Sequence, residues 1–113
     1  MLVNKGKCIE NGNEIISSRV VDYMNRNHLP ENMTVKEMIH ERSYFKNIMA
    51  KGKGTGLGMV NIMDNGLSNG TGSLQSVGSF YAGGAGGTYY WVDPKEELCV
   101  VFMTQLFAGK LDY

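Results

Sequence analysis

A run of small residues, Ala82-Gly83-Gly84-Ala85-Gly86-Gly87, feeds directly into the aromatic and β-branched segment Thr88-Tyr89-Tyr90-Trp91-Val92, which closes at Asp93-Pro94. β-Branched and aromatic side chains suit a pleated, half-buried strand. Asp before Pro starts a turn. Glycines beside such a strand let another chain or a ligand approach the backbone closely. Strand chemistry therefore dominates the C-terminal half, and everything else must fit around it.

The period changes along the chain. Ser17 and Ser18 each suit a helix N-cap. Val20, Val21 and Met24 follow at helical spacing, so residues 18–27 are expected to form a short amphipathic helix, closed by Asn27-His28-Leu29-Pro30. Thr34-Val35-Lys36-Glu37 matches a capping box, and Val35, Met38, Ile39, Phe45 and Met49 predict a second helix over 34–49. Beyond it the pattern becomes strand-like. Strands are expected at 57–63, 76–81, 88–92 and 98–105, with Asp64-Asn65-Gly66 as a turn, 68–73 as a flexible connection and residues 93–97 as a hairpin loop. The order predicts an α+β fold: short N-terminal helices within 1–54, then an antiparallel sheet of three to four strands within 55–107. The 113 residues fit a single partial domain.

Eleven basic and eleven acidic residues cancel, so no net field draws in nucleic acid or an anionic membrane. The apolar runs are too short to cross a bilayer. Met1-Leu2-Val3 is followed at once by Asn4-Lys5, which lacks the form of a secretory signal and favours the cytoplasm. Cys8 and Cys99 have no C-x-x-C partner and are expected to be buried or half-buried free thiols. His28 and His40 do not stand at metal-ligand spacing, and no metal or cofactor is expected.

Several short patterns imitate chemistry. Gly52-Lys53-Gly54-Thr55-Gly56-Leu57-Gly58 resembles a phosphate loop, but the expected helix precedes it and a strand follows, the reverse of what phosphate binding needs. It reads as a mobile linker. Ser43-Tyr44-Phe45-Lys46 is a literal S-x-x-K, in which one helical turn brings a lysine amine beside a serine hydroxyl. Ser43 stands late in a polar helix rather than at the start of a buried one, so Ser43 and Lys46 read as a chance match. Tyr23-Met24-Asn25 matches Y-x-N, but inside a helix and before the S-x-x-K. Asn32-Met33-Thr34 and Asn69-Gly70-Thr71 fit the glycosylation acceptor and read as a helix cap and a loop. Tyr89, Tyr90, Trp91 and Phe102 read as hairpin core.

Residues 78–106 nevertheless follow a longer order: Gly78-Ser79-Phe80, Gly83-Gly84-Ala85, Gly87-Thr88, Trp91-Val92-Asp93-Pro94, then Phe102-Met103-Thr104-Gln105. This resembles the C-terminal end of the serine β-lactamase-related hydrolases, the class C-like branch with esterases and D-amino-acid peptidases. Members read G-x-F-x-W-G-G-A-A-G-T-x-F-W-V-D-P, then an acidic turn and an apolar strand ending M-T-Q. Met1-Leu2-Val3-Asn4-Lys5-Gly6, Ile15-Ile16-Ser17 and Asn27-His28-Leu29-Pro30 resemble the segment before those strands. The resemblance covers most of this chain but only the last part of a family member.

It implies acyl transfer to water, through a serine ester, on an ester, amide or β-lactam. The family's third active-site triad is lysine, histidine or tryptophan, then any residue, then glycine; Ala82, Gly83 and Gly84 stand at those positions. Ala85 would offer its backbone N–H to the oxyanion hole, a role that needs geometry and no side chain. At Ala82 a methyl replaces the cation, imidazole or indole. The family's serine, lysine and tyrosine belong to segments upstream of those matched here, so this chain alone is expected to be catalytically silent. A small-molecule acyl substrate is implied only for a complete enzyme. A non-catalytic module that associates through open strand edges, with a second copy or a missing N-terminal part, is the alternative. An unrelated small α+β domain is a third reading, marked by a helix at 34–49 packed across all the strands.

Overall fold

The computed structural model describes residues 1–38, 52–64 and 75–107. The chain is α+β; among the described residues are two short α-helices, α1 (Ser18–Met24) and α2 (Val35–Met38), followed by five strands. These are β1 (Lys53–Thr55), β2 (Val60–Ile62), β3 (Phe80–Gly84), β4 (Thr88–Asp93) and β5 (Leu98–Phe102). They form one antiparallel sheet in chain order, each strand beside its sequence neighbours.

Local chemistry accounts for the helix starts. Ser17 caps α1, its hydroxyl accepting from the Val20 N–H. The Thr34-Glu37 capping box forms as read from the sequence: Glu37 accepts from the Thr34 N–H at 2.6 Å and from its hydroxyl at 2.8 Å, and the Glu37 N–H donates back to Thr34 Oγ1 at 3.4 Å. α1 stops at Met24, short of 27, because the next side chains have other tasks. Asn25 Nδ2 donates to the Gly78 carbonyl at 2.8 Å. Asn27 accepts from the Thr55 N–H and donates to the Met33 carbonyl at 2.7 Å. The part of the expected second helix beyond Met38, with Ser43, Lys46 and His40, lies outside the described residues.

The strand count exceeds the expected three to four, and β1 is the reason. Lys53-Gly54-Thr55 belongs to the sheet and is not a mobile linker. Gly54 is buried, and a Cβ there would come within 2.5 Å of Asn61 Oδ1 and 2.6 Å of Met63 Sδ. Glycine lets β1 lie that close to β2. The strand region accordingly begins at Lys53, before the boundary expected at 54/55. β2 is shorter than expected because residues 56–59 form its turn, with Gly58 at φ +77° and the Leu57 N–H donating to the Met24 carbonyl. β3 is shifted forward: residues 76–79 make a turn closed by Ser79 N–H to the Ser76 carbonyl, with Gly78 at φ +87°. β5 ends at Phe102 rather than at 105, where the chain bends to bring Thr104 onto the β3–β4 hairpin.

Residues two apart on a strand share a face. One face carries Phe80 and Val92, which with Met59 form the core; Leu2, Val3, Met24 and Tyr90 pack against it. The N-terminal segment and α1 thus cover this face at the Phe80 end. The aromatic group is less buried than expected: Phe102 is 58% exposed and Tyr89 37%. Both lie on the face opposite the Phe80-Val92 core, opposite one another across β4 and β5. Cys8 is half-buried but Cys99 is exposed, and both are free thiols.

Candidate functional site

Residues 82–85 form the second half of β3 and the first step of its turn. Ala82, Gly83 and Gly84 pair with Tyr90, Tyr89 and Thr88 of β4. On the other side the ladder to β2 holds only Phe80 and Tyr81, opposite Asn61 and Val60. Past Tyr81, β2 turns away, so among the described residues no strand pairs with 82–84 on that side. Alternate residues of an antiparallel strand direct their N–H and C=O groups to opposite sides. Part of the 82–84 backbone therefore faces an open border. Ala82 is half-buried; Gly83, Gly84 and Ala85 are exposed.

The border is held firmly. The Gly87 N–H donates to the Gly84 carbonyl at 3.1 Å, and Gly87 sits at φ +72°. A side chain at Gly87 would also run into the Thr104 hydroxyl. That hydroxyl donates to the carbonyls of Gly87 at 2.9 Å and Gly86 at 3.3 Å, fixing the hairpin tip to the segment after β5. At the other end of β3, Asn61 Nδ2 donates to the Asn25 carbonyl, and Asn25 in turn holds Gly78. Tyr23, Met24 and Asn25 are thus a helix end and a brace for the turn into β3.

Asp93 fixes the far end of β4. It is 1% exposed and accepts from the Ser76 N–H at 3.1 Å, Lys95 N–H at 3.1 Å and Glu96 N–H at 3.2 Å. Burial alone pushes its carboxyl up, but the hydrogen bonds from Ser76, Glu96 and Lys95 outweigh that and hold it below the usual carboxylate range. The expected turn role of Asp93 is therefore present, with an added cross-link to the loop before β3.

The opposite face carries a row that sequence reading missed. Lys53 Nζ lies 5.3 Å from the centroid of the Tyr81 ring, and Tyr81 lies 5.4 Å from Tyr89. Burial lowers the Lys53 ammonium pKa and raises that of the Tyr81 phenol. Tyr89 is raised by burial and by Tyr81, partly offset by a hydrogen bond with Gln75. Lys53 is distant in sequence from the two tyrosines, and only the register β1-β2-β3 joins them.

Among the described residues, no three or more His, Cys, Asp or Glu side chains gather to hold a metal ion. His28 is exposed, with Nε2 2.8 Å from the Tyr23 carbonyl and its ring edge-on to Tyr23. Among the described residues, no helix is long and apolar enough to cross a membrane. Compared with known proteins, the chain matches no family model, and no curated protein matches it.

Proposed function

We propose that this chain is the substrate-strand portion of a β-lactamase-like serine hydrolase, one that transfers an acyl group to water through a serine ester. The nucleophile comes from a separate polypeptide segment. Residues 82–84 supply a strand border along which an ester, amide or β-lactam lies, and the Ala85 N–H supplies one donor to the oxyanion. The observation that carries this reading is the open side of β3: small residues, extended backbone, and a ladder to β2 that stops at Tyr81. The ordered residue run from Gly78 to Gln105 supports it. The methyl of Ala82 gives no charge or stacking to the substrate, so orientation rests on the backbone. The coding sequence upstream of Met1 tests the reading. An in-frame S-x-x-K followed by Y-x-N is the expected result; an upstream frame without them removes the nucleophile the proposal needs.

A second reading rests on a separate observation. All five residues of β5 are exposed, and its outer edge has no partner strand among the described residues. Such an uncharged apolar edge templates pairing with another strand. Association through β5, with a second copy or with a separately supplied part, accounts for that surface and is compatible with the hydrolase reading.

A further inference from the structure

The core face of the sheet does not end at Tyr90. By register, Ala82, Tyr90 and Val101 form one cross-strand row on it, and Gly84 and Thr88 begin the next. Together with Met103 these residues line an open groove of about 330 Å³ that reaches the border at 82–84. It exists because Ala82 and Gly84 are small: β3 forms a low floor, while Tyr90, Val101 and Met103 stand higher. No charged side chain lines it.

We infer that this groove binds the unbranched apolar acyl chain of the substrate. The inference rests on the hydrolase reading for what happens at the border, but the binding itself needs no nucleophile. The lining decides the occupant. With no cation there, a phosphate or second carboxylate gains nothing, and the volume lies at the lower end of small-molecule sites, too small for a protein helix. An aliphatic chain over Ala82 and Val101 places its carbonyl end at the open backbone of Gly83 and Gly84, where polar groups are available. The same geometry explains what alanine does at position 82. A lysine, histidine or tryptophan there, as the resembled family carries, would project onto the groove floor and fill it. Ala82 thus exchanges a polar or stacking contact for chain-length selectivity.

The test uses the whole chain and two neutral esters, methyl octanoate and methyl butanoate, followed by amide chemical shifts. Each fully buried methylene tightens binding by about fourfold. An open groove buries its guest only in part, so the octanoate is expected to bind at least about tenfold tighter than the butanoate. The shifts should cluster at Gly83, Gly84, Tyr90 and Val101. Ala82→Trp should abolish the chain-length dependence. Val101→Asp, at a 64% exposed position that carries no packing burden, should do the same if Ala82→Trp fails to fold. Equal affinity for the two esters, shifts centred on Trp91 and Val100 of the opposite face, or selectivity unchanged in Val101→Asp overturns the inference. Octanoate selectivity in a protein whose upstream frame lacks the nucleophile would leave the groove standing and remove only the hydrolase reading.

Discussion

Replacing Asp93 with alanine removes the acceptor that joins three segments: the loop before β3, the end of β4 and the turn into β5. Three backbone donors lose their partner. The Ser76 N–H belongs to a residue only 6% exposed, and leaving such a donor unsatisfied costs about 1–3 kcal/mol. The Lys95 and Glu96 N–H groups lie on an exposed turn where water replaces the carboxylate, a net loss of about 0.5–1.5 kcal/mol each. The total is roughly 2–6 kcal/mol, against a typical domain stability of about 5–15 kcal/mol. In a domain of this size that lowers Tm by about 8 °C or more.

The pH dependence supplies a second reading of the same site. The folded carboxyl titrates below its unfolded value. Its contribution is therefore fully present above about pH 4, the unfolded carboxylate range, and disappears as pH falls through the lower folded value. The stability difference between wild type and Asp93→Ala should shrink as pH drops below about 4. Asp93→Asn keeps an oxygen acceptor without the charge and should fall between the two. Thermal unfolding followed by circular dichroism from pH 7 to acid measures all three. An Asp93→Ala Tm within about 2 °C of wild type at neutral pH would refute the cross-link.

Three further outcomes follow from the geometry. Gly54→Ala forces a methyl against Asn61 Oδ1 and Met63 Sδ, so it should lower stability by about 1–3 kcal/mol in denaturant titration. Gly87→Ala meets both the left-handed backbone and the Thr104 hydroxyl; a loss of about 1–2 kcal/mol is expected, with amide shifts concentrated at the hairpin tip. Val100→Lys, on the exposed edge strand, should change monomer stability by no more than about 0.5 kcal/mol while reducing self-association in sedimentation velocity.

The sequence carried the fold class because its strongest signals are local. The capping box at Thr34 and Glu37, the Ser17 cap and the Asp93 turn each depend on residues close in the chain, and each forms as read. β1 was hidden because Lys53-Gly54-Thr55 is only three residues long and carries no apolar side chain; its strand identity comes from pairing with β2. Gly83 and Gly84 lie beyond the strand expected at 76–81 and fit the strand edge that the resemblance implies; pairing with Tyr89 and Thr88 keeps them extended. The position of residues 82–85 beside a strand could be anticipated from the glycine run. The groove, the Lys53-Tyr81-Tyr89 row and the brace of asparagines could not, because each needs a register that only the sheet defines. The aromatic segment misled in the other direction: period-2 alternation cannot tell a covered face from one left open at an edge strand, and Phe102 fell on the open one.

Reconstitution tests the central claim most directly. The chain is mixed with a polypeptide carrying the S-x-x-K and Y-x-N segments of a class C-like hydrolase, and p-nitrophenyl butyrate turnover is followed. The account predicts no turnover by either part alone, turnover in the mixture, and its loss when Gly83→Pro disrupts the β3 border. Turnover by the chain alone that vanishes in Ser43→Ala, or a mixture that stays silent although the two parts co-sediment, would contradict it.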